Sequence, residues 1–428
     1  MLASGTAVFA ALLAAQGVAE FETGARLDTR VGQAPTGVRV TPAGQAVQAE
    51  QNQLMVSATP ILGLRWAGED SELRVLSDTR ILWRPVPLFD RRPLFLEVLD
   101  ISHLARPSKR SRWQLDLRTS YGEEDYTSLT QQFLNQPALP SSRTLFTLNA
   151  AGDGSWRESR RTTLTLLLDA THRRDLDSQT GGSATAAATP GLPTQTLVTA
   201  TPGLRFAVDR RSRLEALVGL GDTDFEGLQL APPASARVNV LTFQPQLGLV
   251  RDLTRRHQIR VFAGLTYAAV LANPGDRNWH PLSPLFRAEL DSWLWRDRGS
   301  GLRSSLAAVT TWYADPVLGA AVQRGTAEAR LDAQLGPRWD AGARASFTTD
   351  LNHPLTTGPG SPPLDETIVQ VDVPFRHRWS SQLALDFGAR YAERAPNLWA
   401  SSFGWHSREL WLFATLTTTT RRQSIKRA

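Results

Sequence analysis

The chain has 428 residues and carries 47 lysine and arginine side chains against 41 aspartate and glutamate side chains, with no cysteine. The absence of cysteine excludes disulfide scaffolds, cysteine-ligated zinc sites and thiol catalysis. Apolar residues make up 41% of the chain and the mean hydropathy is −0.25, which is typical of neither a helical membrane protein nor a disordered chain. At this length we expect either about two or three globular domains or one large closed β-structure.

The first predicted element is a leader segment. Residues Met1–Ala19 are largely apolar, the first charged residue is Glu20, and Gly17 and Ala19 are small residues at the positions that precede a signal-peptide cut. The segment lacks the usual lysine or arginine near its start, and a buried N-terminal helix is the alternative. No later stretch approaches the roughly 18 apolar residues that a membrane-spanning helix needs.

From Glu20 onward, apolar and polar residues alternate with a period of two. In residues 20–31, apolar or hydroxyl side chains occupy the odd positions and charged side chains occupy most even ones. The same alternation recurs in residues 112–121, 327–335, 367–376 and 382–391. Because a period of two places apolar and polar side chains on opposite faces of a β-strand, it predicts an all-β chain.

Segments of this kind number about eighteen, each about ten residues long, which is the length that a tilted strand needs to cross a bilayer. They begin near Glu20, Leu54, Leu73, Leu94, Arg112, Arg143, Thr162, Thr196, Arg213, Arg237, Gln258, Leu285, Leu302, Thr326, Trp339, Thr367, Gln382 and Glu409. Short connections such as 68–71 and 209–212 alternate with long ones such as 32–53 and 122–142. Short turns on one side and long loops on the other are typical of a barrel in the bacterial outer membrane.

We therefore predict a transmembrane, antiparallel, up-and-down β-barrel of about 16–18 strands, and most simply 18. The predicted domains are a signal peptide over residues 1–19, the barrel over 20–420 and a basic tail over 421–428. A soluble β-sandwich or propeller is the alternative, but it does not explain the alternating loop lengths.

Aromatic residues near the strand ends predict a belt at each membrane interface, where amphipathic rings prefer to lie. The predicted belt residues are Trp66, Tyr121, Phe206, Tyr267, Trp295, Tyr313, Phe347 and Tyr391.

Charged residues of both signs predict a water-filled lumen. The predicted lumen-lining residues are Arg26, Asp28, Arg74, Asp78, Asp116, Arg118, Glu289, Asp291, Glu328, Arg330, Asp332, Asp372, Asp386 and Arg390. A barrel of this size leaves an aqueous channel, and mixed charges suit a hydrophilic solute or polymer. Taken singly, each charge is better explained as a cross-strand ion pair that stabilises the wall, so the prediction of a channel rests on the whole set and not on one side chain.

Several predicted periplasmic turns are rich in arginine. The predicted basic turn residues are Arg210, Arg211, Arg255, Arg256, Arg376 and Arg378. A ring of positive charge could bind an acidic periplasmic partner or attract an anionic polymer, but simple solvation of an arginine-rich sequence is the simpler interpretation. The basic residues are not grouped with stacking aromatics, so the pI of 10.2 does not indicate a nucleic-acid partner.

Sequence motifs do not predict an enzyme or a cofactor. The histidines lie singly, without the pairs that bind a metal, and neither a nucleophile elbow nor a phosphate-binding loop occurs. We expect no catalytic residues, no metal site and no cofactor.

Three strand–turn–strand segments form a loose internal repeat: residues 58–75, 200–218 and 243–264. This pattern resembles the hairpins of many Gram-negative outer-membrane barrels over nearly the whole chain after the leader. The strand number and signal peptide are similar to those of barrels that accompany polysaccharide export, including the eighteen-stranded exopolysaccharide-secretion barrels of myxobacterial type. Such barrels commonly end on an aromatic residue, whereas this chain ends in a basic tail; the internal Trp411 and Phe413 could supply that signal instead.

The resemblance implies a non-enzymatic conduit for secreted polysaccharide in the outer-membrane bilayer, working with a periplasmic polysaccharide-export protein. The alternatives are a general diffusion porin and a structural or assembly barrel that does not conduct.

Overall fold

The computed structural model describes residues 18–40, 46–83, 93–125, 142–176, 194–229, 235–272, 276–279, 282–297, 299–315, 320–352, 366–396, 407–419 and 423–425. These residues form β-strands and the turns that join them. In this part of the chain, no helix is both long and apolar enough to cross a membrane.

The strands of the described residues are β1 (Val18–Val40), β2 (Ala46–Ala67), β3 (Ser71–Trp83), β4 (Leu94–Ser108), β5 (Ser111–Asp125), β6 (Ser142–Arg157), β7 (Thr162–Asp175), β8 (Thr194–Ala207), β9 (Ser212–Gln229), β10 (Ser235–Asp252), β11 (His257–Ala272), β12 (Asp276–Trp279), β13 (Ser283–Asp297), β14 (Ser300–Asp315), β15 (Ala320–Leu335), β16 (Trp339–Asn352), β17 (Glu366–Arg378), β18 (Leu383–Pro396), β19 (Ser407–Thr419) and β20 (Gln423–Ile425).

Antiparallel pairing closes these strands into a barrel. Each long strand pairs with the next long one along the chain, and β19 pairs with β1 from Thr419 at Gly24 to Leu410 at Gln33. The short strands β12 and β20 are additions at the ends of β11 and β1. The other strands form a closed antiparallel barrel of 18 strands, so the predicted fold and strand number are confirmed.

Sixteen of the 18 predicted strand starts lie within two residues of the observed ones, whereas β2 and β15 begin eight and six residues earlier than predicted. The predicted strand length of about ten residues is wrong. The long strands run from 13 to 23 residues, because many continue past the apolar band. The clearest case is the segment 32–53, predicted as a loop, in which β1 and β2 remain paired as far as Val40 and Ala46. Polar side chains there weaken the apolar alternation while the backbone pairing persists.

The predicted ends of the barrel differ slightly from the observed strands. Val18 and Ala19 already pair with β2, upstream of the predicted boundary. Part of the predicted basic tail forms β20, which pairs with Ala19–Phe21 of β1. The leader itself lies outside the described residues up to position 17, and it stays a prediction.

The cross-strand register gives each strand one inner and one outer face. Leu62, Leu247 and Leu412 lie on three different strands and are 61%, 71% and 60% exposed. Leaving such side chains in water rather than in an apolar environment costs about 1.5–3 kcal/mol each. Because the sheet is closed, this apolar face is the outside of the barrel and meets lipid.

Several short turns are built in the same way. The first polar side chain of the turn accepts hydrogen bonds from backbone N–H groups two and three residues later, as in an Asx or ST turn. Asp209 Oδ1 accepts from the N–H groups of Arg211 at 2.6 Å and Ser212 at 2.7 Å. Ser159 and Ser380 play the same part in the turns β6–β7 and β17–β18.

The Asp209 turn gives a pH-dependent prediction. The N–H groups of Arg211 and Ser212 hold the pKa of the Asp209 carboxyl below its usual range. Because the pKa is lowered in the folded state, the ionised carboxylate stabilises the fold at pH values above the ordinary pKa of aspartate. This contribution is lost as the pH falls through the lowered pKa. We therefore expect the unfolding temperature of the wild type to fall more than that of Asp209→Asn between about pH 5 and about pH 2.

The measurement is the heat-dependent mobility of the detergent-solubilised barrel on gels. Ser159→Ala is the matched control, because it removes a similar turn acceptor that does not titrate, and its loss of stability should not depend on pH. Parallel pH profiles for Asp209→Asn and the wild type would contradict the assigned role.

Candidate functional site

The candidate site is the inner wall of the barrel. The strand register places every residue predicted to line the lumen on the face opposite the apolar one: Arg26, Asp28, Arg74, Asp78, Asp116, Arg118, Glu289, Asp291, Glu328, Arg330, Asp332, Asp372, Asp386 and Arg390. Most of them contact an opposite charge on the same or a neighbouring strand.

One polar cluster lies where the barrel closes. Asp28 on β1 accepts hydrogen bonds from Arg26 Nε at 3.2 Å, Ser57 Oγ at 3.2 Å and Thr415 Oγ1 at 2.5 Å. These partners lie on β1, β2 and β19, so a single carboxylate joins the first two strands to the last long one. Its side chain is only 14% exposed, and the three donors offset the cost of its burial.

A second cluster lies on β11, β13 and β14. Arg260 bonds Glu289 at 3.1 Å, and its other terminal nitrogen lies 3.7 Å from Asp291. Arg303 reaches the same Asp291 at 3.2 Å, and Arg287 donates to Glu289 at 2.6 Å. Three guanidinium groups thus share two carboxylates across three strands.

A third cluster joins β16, β17 and β18. Arg390 Nε donates to Asp372 at 2.5 Å, Arg376 binds Asp386 through two nitrogens, and Arg378 pairs with Asp340. Because each cation has a carboxylate partner, this part of the inner wall is strongly polar but carries little net charge. These pairs are only partly buried, and solvent-accessible pairs contribute about 1 kcal/mol or less each, so they make the wall hydrophilic more than they stabilise it.

This third cluster corrects part of the prediction for the basic turns. Arg376 and Arg378 are not turn residues: they are the last inward-facing residues of β17, and the turn follows at residues 379–382. The predicted turn began too early, because the alternation was followed only to Arg376 and not on to Arg378. Arg210 and Arg211, and likewise Arg255 and Arg256, do lie in the turns β8–β9 and β10–β11.

A cavity opens from the inner wall at mid-height between β3 and β7. It has a volume of about 560 Å³. The charged and polar groups that line it are Arg74, Asp100, Ser102, Asp116, Arg118, Asn149, Asp169 and Thr171. Both signs of charge are present, and Arg118 Nε lies 3.6 Å from Asp100, so the cavity suits a hydrophilic solute rather than an apolar one.

The β14–β15 hairpin crosses the inner face of its neighbours near the end with the long loops. The β13–β14 ladder ends at Arg287 and Val309, since Pro284 has no N–H to donate. Thr310 Oγ1 accepts from the Phe286 N–H at 2.7 Å in place of a ladder carbonyl. Gln323 Nε2 of β15 then donates to the Pro284 carbonyl at 2.6 Å.

Burial shows on which side this hairpin lies. The inner-face residues Thr266, Ser283 and Leu285 are 0%, 5% and 6% exposed, whereas the outer-face residues Leu265 and Phe286 are both 45% exposed. Cα atoms of β15 also come within 8 Å of β11, although three strand spacings along the wall would separate them by about 14 Å. The hairpin therefore leans into the lumen and narrows it.

Apolar side chains on the inner face were not predicted. Leu94, Leu96 and Val98 of β4 alternate on the inner face and are 5–8% exposed. Trp411 and Phe413 also face inward, at the register positions of Gly32 and Arg30, so they do not occupy the lipid-facing positions of a terminal aromatic signal. The shared parity of Trp411 and Phe413 with Glu409 was a usable signal in the sequence.

The outer face carries the predicted aromatic residues. Trp66 and Tyr391 lie on it by register, and Tyr121, Phe206, Tyr267, Trp295 and Phe347 lie on it and are 37–56% exposed. The side chain of Tyr313 is outside the described residues. Polar residues begin directly beyond the apolar band, for example Glu123 after Tyr121 and Asp222 after Leu220. A closed barrel with an apolar band between aromatic residues is an integral protein of the bacterial outer membrane.

The histidines of the described residues lie apart from one another. His103 and His172 are on the outer face, His257 begins β11, and His377 packs beside Trp339 and Trp379. No group of three potential metal-binding side chains occurs in the part of the chain that the structure describes. His280, His353 and His406 fall outside it.

No protein-family model matches the chain, and no curated protein sequence is similar to it. Solved structures with a similar fold include Pseudomonas aeruginosa OpdQ, with a TM-score of 0.43, 12% identity and coverage of 95% of this chain and 98% of that one. For OpdK of the same organism with vanillate, the TM-score is 0.44 and the identity 12%, with coverage of 94% of this chain and 99% of that one. For the FrpB iron transporter from Neisseria meningitidis, the TM-score is 0.49 and the identity 8%, with coverage of 87% of this chain and 62% of that one. The strand pairing itself, rather than these likenesses, identifies the fold.

The buried ion pair beside the hairpin gives a stability prediction. Arg324 Nε lies 2.9 Å from Asp350, whose side chain is 1% exposed. Removing one partner of a buried pair costs about 3–5 kcal/mol, so we expect Arg324→Ala to lower the free energy of unfolding by that amount.

The control is Arg330→Ala on the same strand, because the pair of Arg330 with Asp332 is 47% and 40% exposed and should be worth at most about 1 kcal/mol. Denaturant unfolding of the barrel in lipid vesicles, followed by tryptophan fluorescence, compares the two variants. Equal losses would contradict the burial of Asp350.

Proposed function

We propose that the protein is a passive channel that lets small hydrophilic solutes diffuse across the outer membrane. The observation that carries this proposal is the inner wall, where ion-paired arginines and carboxylates on β1, on β11 to β14 and on β16 to β18 occupy the register positions opposite the lipid-facing ones. A barrel of about 16–18 strands is too wide for side chains to fill and leaves an aqueous channel. Paired charges keep such a channel hydrated, and because the two signs largely cancel, they create little net electrostatic potential in the lumen.

The narrowing of the lumen favours small solutes over a polymer. The β14–β15 hairpin is held against β13 by Gln323 and Thr310, and it takes up space that an open barrel would leave to the solute. The inward side chains of Phe413 and Trp411 lie against the wall over Gly388 and Gly32. An extended chain of sugars would have to pass all of these groups at once, whereas a small solute passes them one at a time.

The expected role in polysaccharide export with a periplasmic partner gains no support. Neither the inner wall nor the comparisons point to exported polymer, and the arginine turns alone do not identify a protein partner. The general diffusion channel, one of the two alternatives, is the better account of the geometry.

Planar-bilayer recording tests the channel. We expect the purified protein to give stable conductance steps, and liposomes that contain it to swell in small sugars but not in long dextrans. The double variant Thr310→Ala with Gln323→Ala should raise the conductance, because it removes both side chains that hold the hairpin over the wall.

Thr326→Ala is the control variant. Thr326 lies on the same β15 and its hydroxyl contacts Thr348 at 3.3 Å, within the ordinary strand ladder, so its conductance should equal that of the wild type. A barrel that never conducts would contradict the proposal in favour of a structural role, and dextran entry as fast as sugar entry would favour a polymer conduit.

A further inference from the structure

A second cavity lies at the end of the barrel with the short turns, and we call it the mouth cavity. It has a volume of about 360 Å³. The residues that line it are Asp70, Arg106, Ser108, Lys109, Arg110, Ser111, Arg112, Ser155, Arg157 and Thr163. Five cationic residues therefore line one space together with a single acidic residue and four residues that carry hydroxyl groups.

Hydrogen bonds between neighbouring turns fix the backbone of this cavity. The N–H of Arg106 donates to the Asp70 carbonyl at 2.7 Å, which joins the β4 end to the β2–β3 turn. The N–H of Arg157 donates to the Arg110 carbonyl at 2.8 Å, which joins the β6 end to the β4–β5 turn. Ser108 and Ser111 contact each other through their hydroxyls at 2.8 Å. Three adjacent turns thus form one connected platform that holds the cations together.

Among the described residues, the cations of the mouth cavity have no carboxylate partner, unlike the arginines of the three clusters on the inner wall. Within the described residues, no ion pair involves Arg106, Lys109, Arg110, Arg112 or Arg157, and Arg112 contacts only the neutral Gln114. By contrast, Arg260 and Arg303, which line the basic cavity at the β10–β11 turn, share Asp291. Like charges gathered on a fixed platform repel one another, and a bound anion relieves that repulsion.

We propose that the mouth cavity binds a small oxyanion with two or more negative charges, of the phosphate class. Guanidinium groups bind tetrahedral oxyanions through two parallel N–H···O bonds, and a monatomic chloride ion lacks the two acceptor oxygens that this geometry needs. Ser155 and Thr163 supply hydroxyl donors at the same site. The site lies at the mouth of the proposed channel, so an anionic solute would meet it on entering or leaving the lumen. This physiological use of the site rests on the proposed channel function.

Calorimetric titration with inorganic pyrophosphate tests binding in an uncharged detergent. We expect one saturable site on the wild-type barrel that weakens as salt is added, because the cations are open to solvent. Arg110→Ser with Arg157→Ser should weaken binding at least about tenfold, since each charge-assisted hydrogen bond corresponds to roughly a tenfold change in affinity or more.

Arg160→Ser with Arg161→Ser is the matched control. These residues lie in the turn that follows Arg157 and outside the cavity, and the variant loses the same two charges. Its affinity should change less than about threefold, since exposed charges act on one another only weakly through water and salt. An equal loss of pyrophosphate affinity in the two variants would overturn the proposal, because it would show that the overall positive charge at this end of the barrel, and not a specific site, attracts the anion.

Titration in detergent does not require conduction, so the two proposals fail separately. A barrel that binds pyrophosphate without conducting would refute the channel alone. A barrel that conducts but shows no saturable heat with pyrophosphate would refute the site alone. A gel-mobility check that each variant is folded accompanies every titration.

Discussion

The need to satisfy every backbone hydrogen bond away from water governs this structure. Lipid offers no donor or acceptor, so a sheet that crosses a membrane has to close on itself. Here the closure is the pairing of β19 with β1, and Asp28 reinforces it with side-chain bonds to β2 and β19. Once the sheet is closed, the period of two along each strand sends one set of side chains to lipid and the other to the lumen. The polar inner wall follows from that division.

The same constraint explains what could be predicted from the sequence. Alternation such as that of Trp113, Leu115 and Leu117 against Gln114 and Asp116 gave the strands, their approximate starts and their inner faces. The strand ends were harder to predict, because polar side chains beyond the bilayer no longer alternate while the backbone stays paired, as in β1 and β2. Hydrophobic patterning reports contact with lipid, and the strands are longer than that contact.

The features that shape the lumen could not be predicted in this way, since they depend on contacts between distant residues. Pro284 is visible in the sequence, but its effect on the ladder appears only when Thr310 and Gln323 are seen to bond β13. The mouth cavity likewise forms only where three separate turns meet. Its residues Arg106, Lys109 and Arg110 were not among the basic turn residues singled out from the sequence. The local sequence pattern predicts the strands of the wall, whereas the narrowing of the lumen and the cavities depend on contacts between residues far apart in the sequence.

Single-cysteine labelling along β5 tests the central claim, that one strand faces lipid and water at alternate positions. The chain has no cysteine of its own, so each variant from residue 113 to 118 carries one reactive thiol. In lipid vesicles, a membrane-impermeant maleimide should label positions 114, 116 and 118 quickly and positions 113, 115 and 117 slowly. Labelling that does not alternate along the strand would contradict the account.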